Sequence, residues 1–194
     1  MLKVGITGGI GSGKTTVAKL FEALNIPVYY ADDRAKWLMA NDKNLRQALI
    51  NLLGDEVFDS GNQLNRKAIA SKVFANPTLL SQLNQLVHPA VASDFNAWSS
   101  TFEHEKPYVL KEAALLVESG SYKELDKLIV VNAPLELRIE RTIKRDNTTR
   151  QAVLDRIKNQ LADEEKIKLA DFIIQNGLMD NLTEQVQTIH QSLS

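Results

Sequence analysis

The sequence predicts an α/β fold in which a parallel sheet is covered by helices on both faces. Three observations lead there. Five short stretches rich in aliphatic and β-branched residues recur, at Leu2–Thr7, Pro27–Tyr30, Tyr108–Leu110 with its continuation, Lys127–Val131 and Asp171–Gln175. Their apolar residues run almost without alternation, the pattern of strands buried on both faces. Helical patterns separate them, and strand alternating with helix implies a doubly wound sheet.

The bulk numbers agree. The chain has 194 residues, 44% hydrophobic and 24% charged, with a formal net charge of −1. That length supports one sizeable core and an appended subdomain without disulfides or metals. No basic tail or like-charge block appears, so a nucleic-acid or membrane-surface partner is not expected. There are no cysteines, which excludes disulfides, thiolate metal sites and cysteine nucleophiles. No signal peptide and no membrane-length apolar run is apparent, so a soluble cytoplasmic protein, with no obligate protein partner and a monomeric state, is expected.

Taken in order, the strand Leu2–Thr7 leads through a glycine cluster into a helix over Thr15–Leu24, and the second strand follows. From Asp33 to Pro107 no strand pattern occurs, and so long an interval exceeds a simple crossover. Leu45, Leu49, Leu52 and Leu53, then Leu79, Leu80, Leu83, Leu86 and Val87, mark helices there. Residues 33–107 therefore read as an inserted helical subdomain, a substrate cover or a purely structural insert. A core of residues 1–32 and 108–194 remains. Within it, Pro134–Arg145 opens on a proline suited to a first helical turn, and Arg150–Leu169 reads as one long charged helix. Leu182, Val186, Ile189 and Leu193 form a stripe on a terminal helix that docks on the core.

The glycine cluster is the most specific feature. Four of the chain's nine glycines fall within residues 8–13, and Gly8-x-x-x-x-Gly13-Lys14-Thr15 matches the phosphate-loop pattern between a strand and a helix. Such a loop, Gly9, Ile10, Gly11, Ser12 and Gly13 running into Lys14, Thr15 and Thr16, wraps nucleotide phosphates with backbone N–H groups and a helix N-terminus. Lys14 is expected to reach the β- and γ-phosphates, and the Thr15 hydroxyl to bind Mg²⁺. The competing reading is a glycine-rich turn with an incidental lysine. The guanine-nucleotide elements DxxG and NKxD and an LSGGQ-like signature are absent, and the chain is short for motor cores. A small-molecule kinase using ATP remains.

The motifs TGGIGSGKT at 7–15, YAD at 30–32, LVHP at 86–89, LLVESG at 115–120, RTIKRD at 141–146 and KLADFIIQNG at 168–177 resemble, in order and spacing, those of dephospho-CoA kinases. The resemblance spans nearly the whole chain. It implies a three-layer P-loop core with a five-stranded sheet, a helical CoA-binding insert and a helical lid at about 134–165. The implied reaction is transfer of the γ-phosphoryl group of ATP to the 3′-hydroxyl of dephospho-CoA, the last step of coenzyme A synthesis. Two positions depart from the family pattern: Tyr30 stands for an aspartate and Ala114 for a proline.

Asp32 or Asp33 is the residue type that caps a helix, but the end of this strand is also where an α/β sheet places catalytic groups. The resemblance places the base that accepts the hydroxyl proton at Asp32. Glu112, at the end of the third strand, reads either as an acid holding Mg²⁺ through water or as a surface glutamate. Arg138, Arg141 and Arg145 share a helix face, open to intrahelical pairs with Glu136 and Glu140. The RTIKRD resemblance assigns Arg141, then Arg145, to the transferring phosphoryl group as lid arginines.

His88 reads on its own as a helix-end residue, and the resemblance puts His88 and Pro89 beside the acceptor. Thr7 reads as an acceptor contact or as a buried threonine satisfied by backbone. Asn176 reads as an Asn-Gly turn, and the resemblance places its loop against the adenine of ATP. Kinases of other small alcohols or nucleoside monophosphates, and a nucleotide-dependent protein-binding module, are the competing functions.

Overall fold

The computed structural model describes residues 1–74 and 76–194. Its five strands are β1 (Leu2–Thr7), β2 (Val28–Tyr30), β3 (Tyr108–Glu112), β4 (Lys127–Asn132) and β5 (Phe172–Gln175). All pair in parallel, in the order β2-β3-β1-β4-β5. The chain fills one side of β1 with β3 and β2, then the other with β4 and β5. The loop after β1 therefore leaves the sheet at the point where the winding reverses, the crevice where open α/β sheets bind ligands.

Two units are distinguished, residues 1–30 with 101–194, and residues 31–100. In the first, α1 (Lys14–Ala23) and α9 (Leu182–Leu193) cover one face of the sheet. Phe21 of α1, Tyr108 of β3 and Val186, Ile189 and Leu193 of α9 share a core with Ile6, Ile129 and Ile174. Each such side chain, fully buried, contributes roughly 1.5–3 kcal/mol. The Tyr108 hydroxyl, wholly buried, lies 2.8 Å from Nδ1 of His190, so the core's largest polar tip is satisfied.

Three further helices of this unit are α6 (Leu135–Asp146), α7 (Arg150–Lys158) and α8 (Asp163–Lys168). The single helix expected over 150–169 is therefore corrected to two, joined by residues 159–162. Ala162 is extended, at ψ 146°, and Asp163, Glu164 and Glu165 occupy the first turn of α8, where acidic groups favour a new helix start. Thr149 caps α7, its Oγ1 accepting from the Ala152 N–H at 3.2 Å.

The second unit is helical: α2 (Ala31–Asn41), α3 (Lys43–Leu53), α4 (Arg66–Phe74) and α5 (Pro77–Ser100). Asp42 caps α3 through the Leu45 N–H at 2.8 Å, and Leu45, Leu49 and Leu53 are buried. Arg34 of α2 grips Asp94 of α5 with two bonds of 2.9 and 2.6 Å. The helix end expected at His88 is overturned, because α5 runs 24 residues with Pro89 inside it. Proline removes one N–H on an exposed face, whereas Val87, Val91 and Phe95 on the buried face keep the helix packed. No helix among the described residues is long and apolar enough to cross a membrane.

Candidate active site

The site begins where β1 stops. The Ser12 N–H donates to the Gly9 carbonyl at 3.1 Å, and Gly11 at the third turn position has φ +76°. With Ile10 at negative φ, this is a type II turn, whose third position favours glycine. The Val17 N–H then donates to the Gly13 carbonyl at 3.1 Å, closing the first turn of α1. That turn offers backbone N–H groups and the positive end of the helix dipole to an anion.

α6 lies directly against this loop. A Cβ on Gly9 would overlap the Arg138 guanidinium, and one on Gly11 would overlap the Arg138 carbonyl and the Thr142 hydroxyl. Arg138 is 3% exposed, and its Nε donates to the Ile10 carbonyl at 2.9 Å. A guanidinium so buried needs a counter-ion, and its Nη1 pairs with the Asp163 carboxylate. The Ile10 N–H in turn donates to Gln160 Oε1 at 2.9 Å. Farther along the loop, Asn176 Nδ2 donates to the Ser12 carbonyl at 2.7 Å. Arg141 Nη1 donates to the Asn176 backbone oxygen at 3.1 Å, and Nη2 to its Oδ1 at 3.4 Å.

The three arginines of α6 do not share one environment. Arg138 is buried, Arg141 joins the Asn176 network, and Arg145 is exposed and gripped by Asp146 at 2.6 and 3.0 Å. Hydrogen bonds from Arg145 and Arg156 hold the Asp146 carboxyl well below the usual carboxylate range. The intrahelical pairing open to Glu136 is not the one it makes: it pairs with Arg150 of α7 at 2.7 Å. That bond lowers the Glu136 carboxyl pKa below its ordinary value.

Glu112 is not a surface residue. It is 6% exposed and lies in register between Ile6 of β1 and Tyr30 of β2. Burial raises the Tyr30 phenol above its ordinary pKa, and the Glu22 and Glu112 carboxylates push it the same way, so it stays neutral. Thr7 is wholly buried and donates from Oγ1 to the Ala114 carbonyl at 3.4 Å. Thr15 lies in the first turn of α1. Among the described residues, no group of three or more His, Asp or Glu side chains converges as a metal cage. One hydroxyl and one carboxylate nevertheless fit Mg²⁺, which takes one or two protein oxygens and completes its shell with phosphate and water.

In the second unit, Asp32 and Asp33 sit inside the first turn of α2, so neither is its cap. Asp32 is exposed there, as are His88 and Pro89 on α5.

A family model described as dephospho-CoA kinase matches residues 2–181. A dephospho-CoA kinase of Bacteroides fragilis is 41% identical, the alignment spanning 99% of this chain and 95% of that protein. The chain belongs to the dephospho-CoA kinase family. A crystal structure from Thermus thermophilus superposes with a TM-score of 0.87 at 34% identity, covering 100% of this chain and 98% of that one. The dephospho-CoA kinase from Campylobacter jejuni gives 0.72 at 26% identity, covering 99% and 96%. The five-stranded parallel α/β architecture expected from the sequence is thus also that of its relatives.

For a dephospho-CoA kinase, the residues to which sequence reasoning gave no part in shaping the phosphate loop are Arg138, Gln160, Asp163, and Glu118 of the LLVESG motif. Glu118 Oε1 accepts from the Leu161 N–H at 3.0 Å and stands 2.8 Å from Nζ of the wholly buried Lys166. A signal was present in the glycines at 9 and 11, which imply a close neighbour without naming it.

Proposed function

We propose that this protein transfers the γ-phosphoryl group of ATP to the ribose 3′-hydroxyl of dephospho-CoA, giving coenzyme A and ADP, the last step of coenzyme A biosynthesis. The observation that carries the reading is a complete phosphate loop braced by Arg138 and by Asn176 with Arg141, in a chain of this family. Phosphoryl transfer needs little covalent chemistry from a protein; it needs positioning and charge neutralisation. In this reading the loop from Gly9 to Thr16 holds the phosphates through N–H groups other than those of Ile10 and Ser12, which bond Gln160 and Gly9, and Lys14 and Arg141 offset the charge on the moving group. Arg145 joins them by exchanging its Asp146 contact for phosphate.

Asp32 orients the acceptor hydroxyl and accepts its proton. Thr7, His88 and Pro89 border the acceptor, and the loop at Asn176 lies against the adenine. The helical unit, residues 31–100 where 33–107 was expected, forms the CoA-binding insert, residues 1–30 with 101–194 the nucleotide core, and about 134–165 the lid. Thr15 and Glu112 would hold Mg²⁺, which supplies charge neutralisation across the β- and γ-phosphates when bound with ATP. The enzyme acts as a cytoplasmic monomer without nucleic-acid or membrane partners.

The test is direct. Protein is incubated with MgATP and either dephospho-CoA or a panel of nucleoside monophosphates, and ADP and phosphorylated product are quantified. Turnover with dephospho-CoA alone is expected. Phosphorylation of a nucleoside monophosphate without turnover of dephospho-CoA sinks the reading.

A further inference from the structure

The glycine at position 11 permits a type II turn but does not choose it. Glycine at the third position of a turn adopts negative φ as readily as positive, so rotation of the Ile10–Gly11 peptide would give a type I turn over the same four residues. The two states differ in one functional respect. A trans peptide is planar, with its C=O and N–H pointing in opposite directions. Rotating it therefore reverses the Gly11 N–H, one of the donors a phosphate loop uses.

Two side chains hold both peptides of Ile10. Arg138 Nε donates to the Ile10 carbonyl at 2.9 Å, which aims the Gly11 N–H away from Arg138. Gln160 Oε1 accepts from the Ile10 N–H at 2.9 Å, fixing the preceding peptide. Their holders are themselves pinned. Asp163 pairs with Arg138, and three residues earlier the same elbow carries Gln160. The Leu161 N–H between them donates to Glu118 at 3.0 Å, and Glu118 faces buried Lys166 at 2.8 Å. The elbow between α7 and α8 is thus fastened to α6, to the segment after β3 and to the phosphate loop.

We propose that Arg138 is a positioning residue that sets the type II turn of the phosphate loop before nucleotide arrives, with Gln160 anchoring the preceding peptide, and that the pair thereby sets affinity for a β-phosphate. The inference rests on the nucleotide-binding part of the reading above and does not depend on the acceptor.

The affinities of ADP and AMP separate its effect from general damage, because AMP lacks the β-phosphate that such a loop encloses. Calorimetric titration compares wild type with Gln160→Ala, Arg138→Gln and the double variant. Gln160→Ala is expected to lower the ratio of ADP to AMP affinity about tenfold, with AMP affinity within about twofold of wild type. Because both residues act on one turn, the double variant is expected to lose less than the product of the single losses. A ratio unchanged by Gln160→Ala overturns the inference, as does a parallel fall in AMP affinity. If Arg138→Gln does not fold, Arg138→Lys, which keeps a charge beside Asp163 but lacks the Nε–H donated to Ile10, takes its place, and an unchanged ratio in it overturns the inference. Failure of wild type to phosphorylate dephospho-CoA would overturn the proposed reaction and leave this inference standing.

Discussion

Asn176 donates from its side chain to the carbonyl of Ser12 at 2.7 Å, joining the residue after β5 to a phosphate loop 164 residues earlier in the chain. Asn176 is 6% exposed, and its own oxygens receive Arg141, so one amide couples loop and arginine. Asn176→Ala leaves the Ser12 carbonyl without its donor and Arg141 without its side-chain acceptor. The expected cost is about 1–3 kcal/mol of stability, with a rise in KM for ATP exceeding any change in KM for dephospho-CoA. Urea denaturation and steady-state kinetics check it; equal rises in both KM values would contradict the coupling.

The Glu118–Lys166 pair makes a prediction about charge. Lys166 is wholly buried, and Glu118 stands 2.8 Å from it. Glu118→Gln leaves that cation uncompensated, which costs about 3–5 kcal/mol for a buried pair. Glu118→Leu combined with Lys166→Met removes both charges, and is expected to recover much of that loss. Denaturant midpoints of the three proteins measure it. A single variant as stable as wild type would show that the pair carries no weight.

Asp146 predicts an acid limb. Arg145 and Arg156 depress its folded-state pKa, so it binds a proton less readily folded than unfolded. Its stabilisation is fully present above the unfolded value of about 3.9 and is lost as pH falls toward the folded value. Both arginines are more than half exposed, so the effect is under about 1 kcal/mol. Asp146→Asn is expected to be less stable than wild type at pH 7, with the gap closing below about pH 4. A gap still open at about pH 1 would contradict it.

These networks mark where sequence reading stops. The strands were legible because Val4, Ile6, Ile129 and Ile174 are buried whatever their neighbours, and apolar runs report that directly. The break at 159–162 was not legible: its fastening partners, Ile10 and Glu118, lie 150 and 43 residues away. Pro89 misled through a sound local rule that burial of Val87 and Val91 outweighed. Arg138, Arg141 and Arg145 look equivalent on a helical wheel, and only their neighbours distinguish them. The glycine motif announced a phosphate loop, but Arg138 and Gln160, which hold the peptides of Ile10, lie outside every recognisable motif.

Asp32 lies exposed in the first turn of α2, and Lys14 opens α1. Asp32→Asn keeps size and hydrogen-bonding capacity but cannot take the hydroxyl proton. It is expected to lower kcat about 10²–10⁴-fold, with KM for ATP little changed. Lys14→Ala removes a charge from the phosphates, and is expected both to raise KM for ATP and to lower kcat. An interaction made in ground and transition states affects the first, and one strengthened in the transition state affects the second. Neither residue is a core packing element, so far-ultraviolet circular dichroism and the thermal midpoint are expected to stay close to wild type. Wild-type turnover by Asp32→Asn would remove Asp32 as the base. An effect of Lys14→Ala confined to dephospho-CoA would remove Lys14 from the donor site.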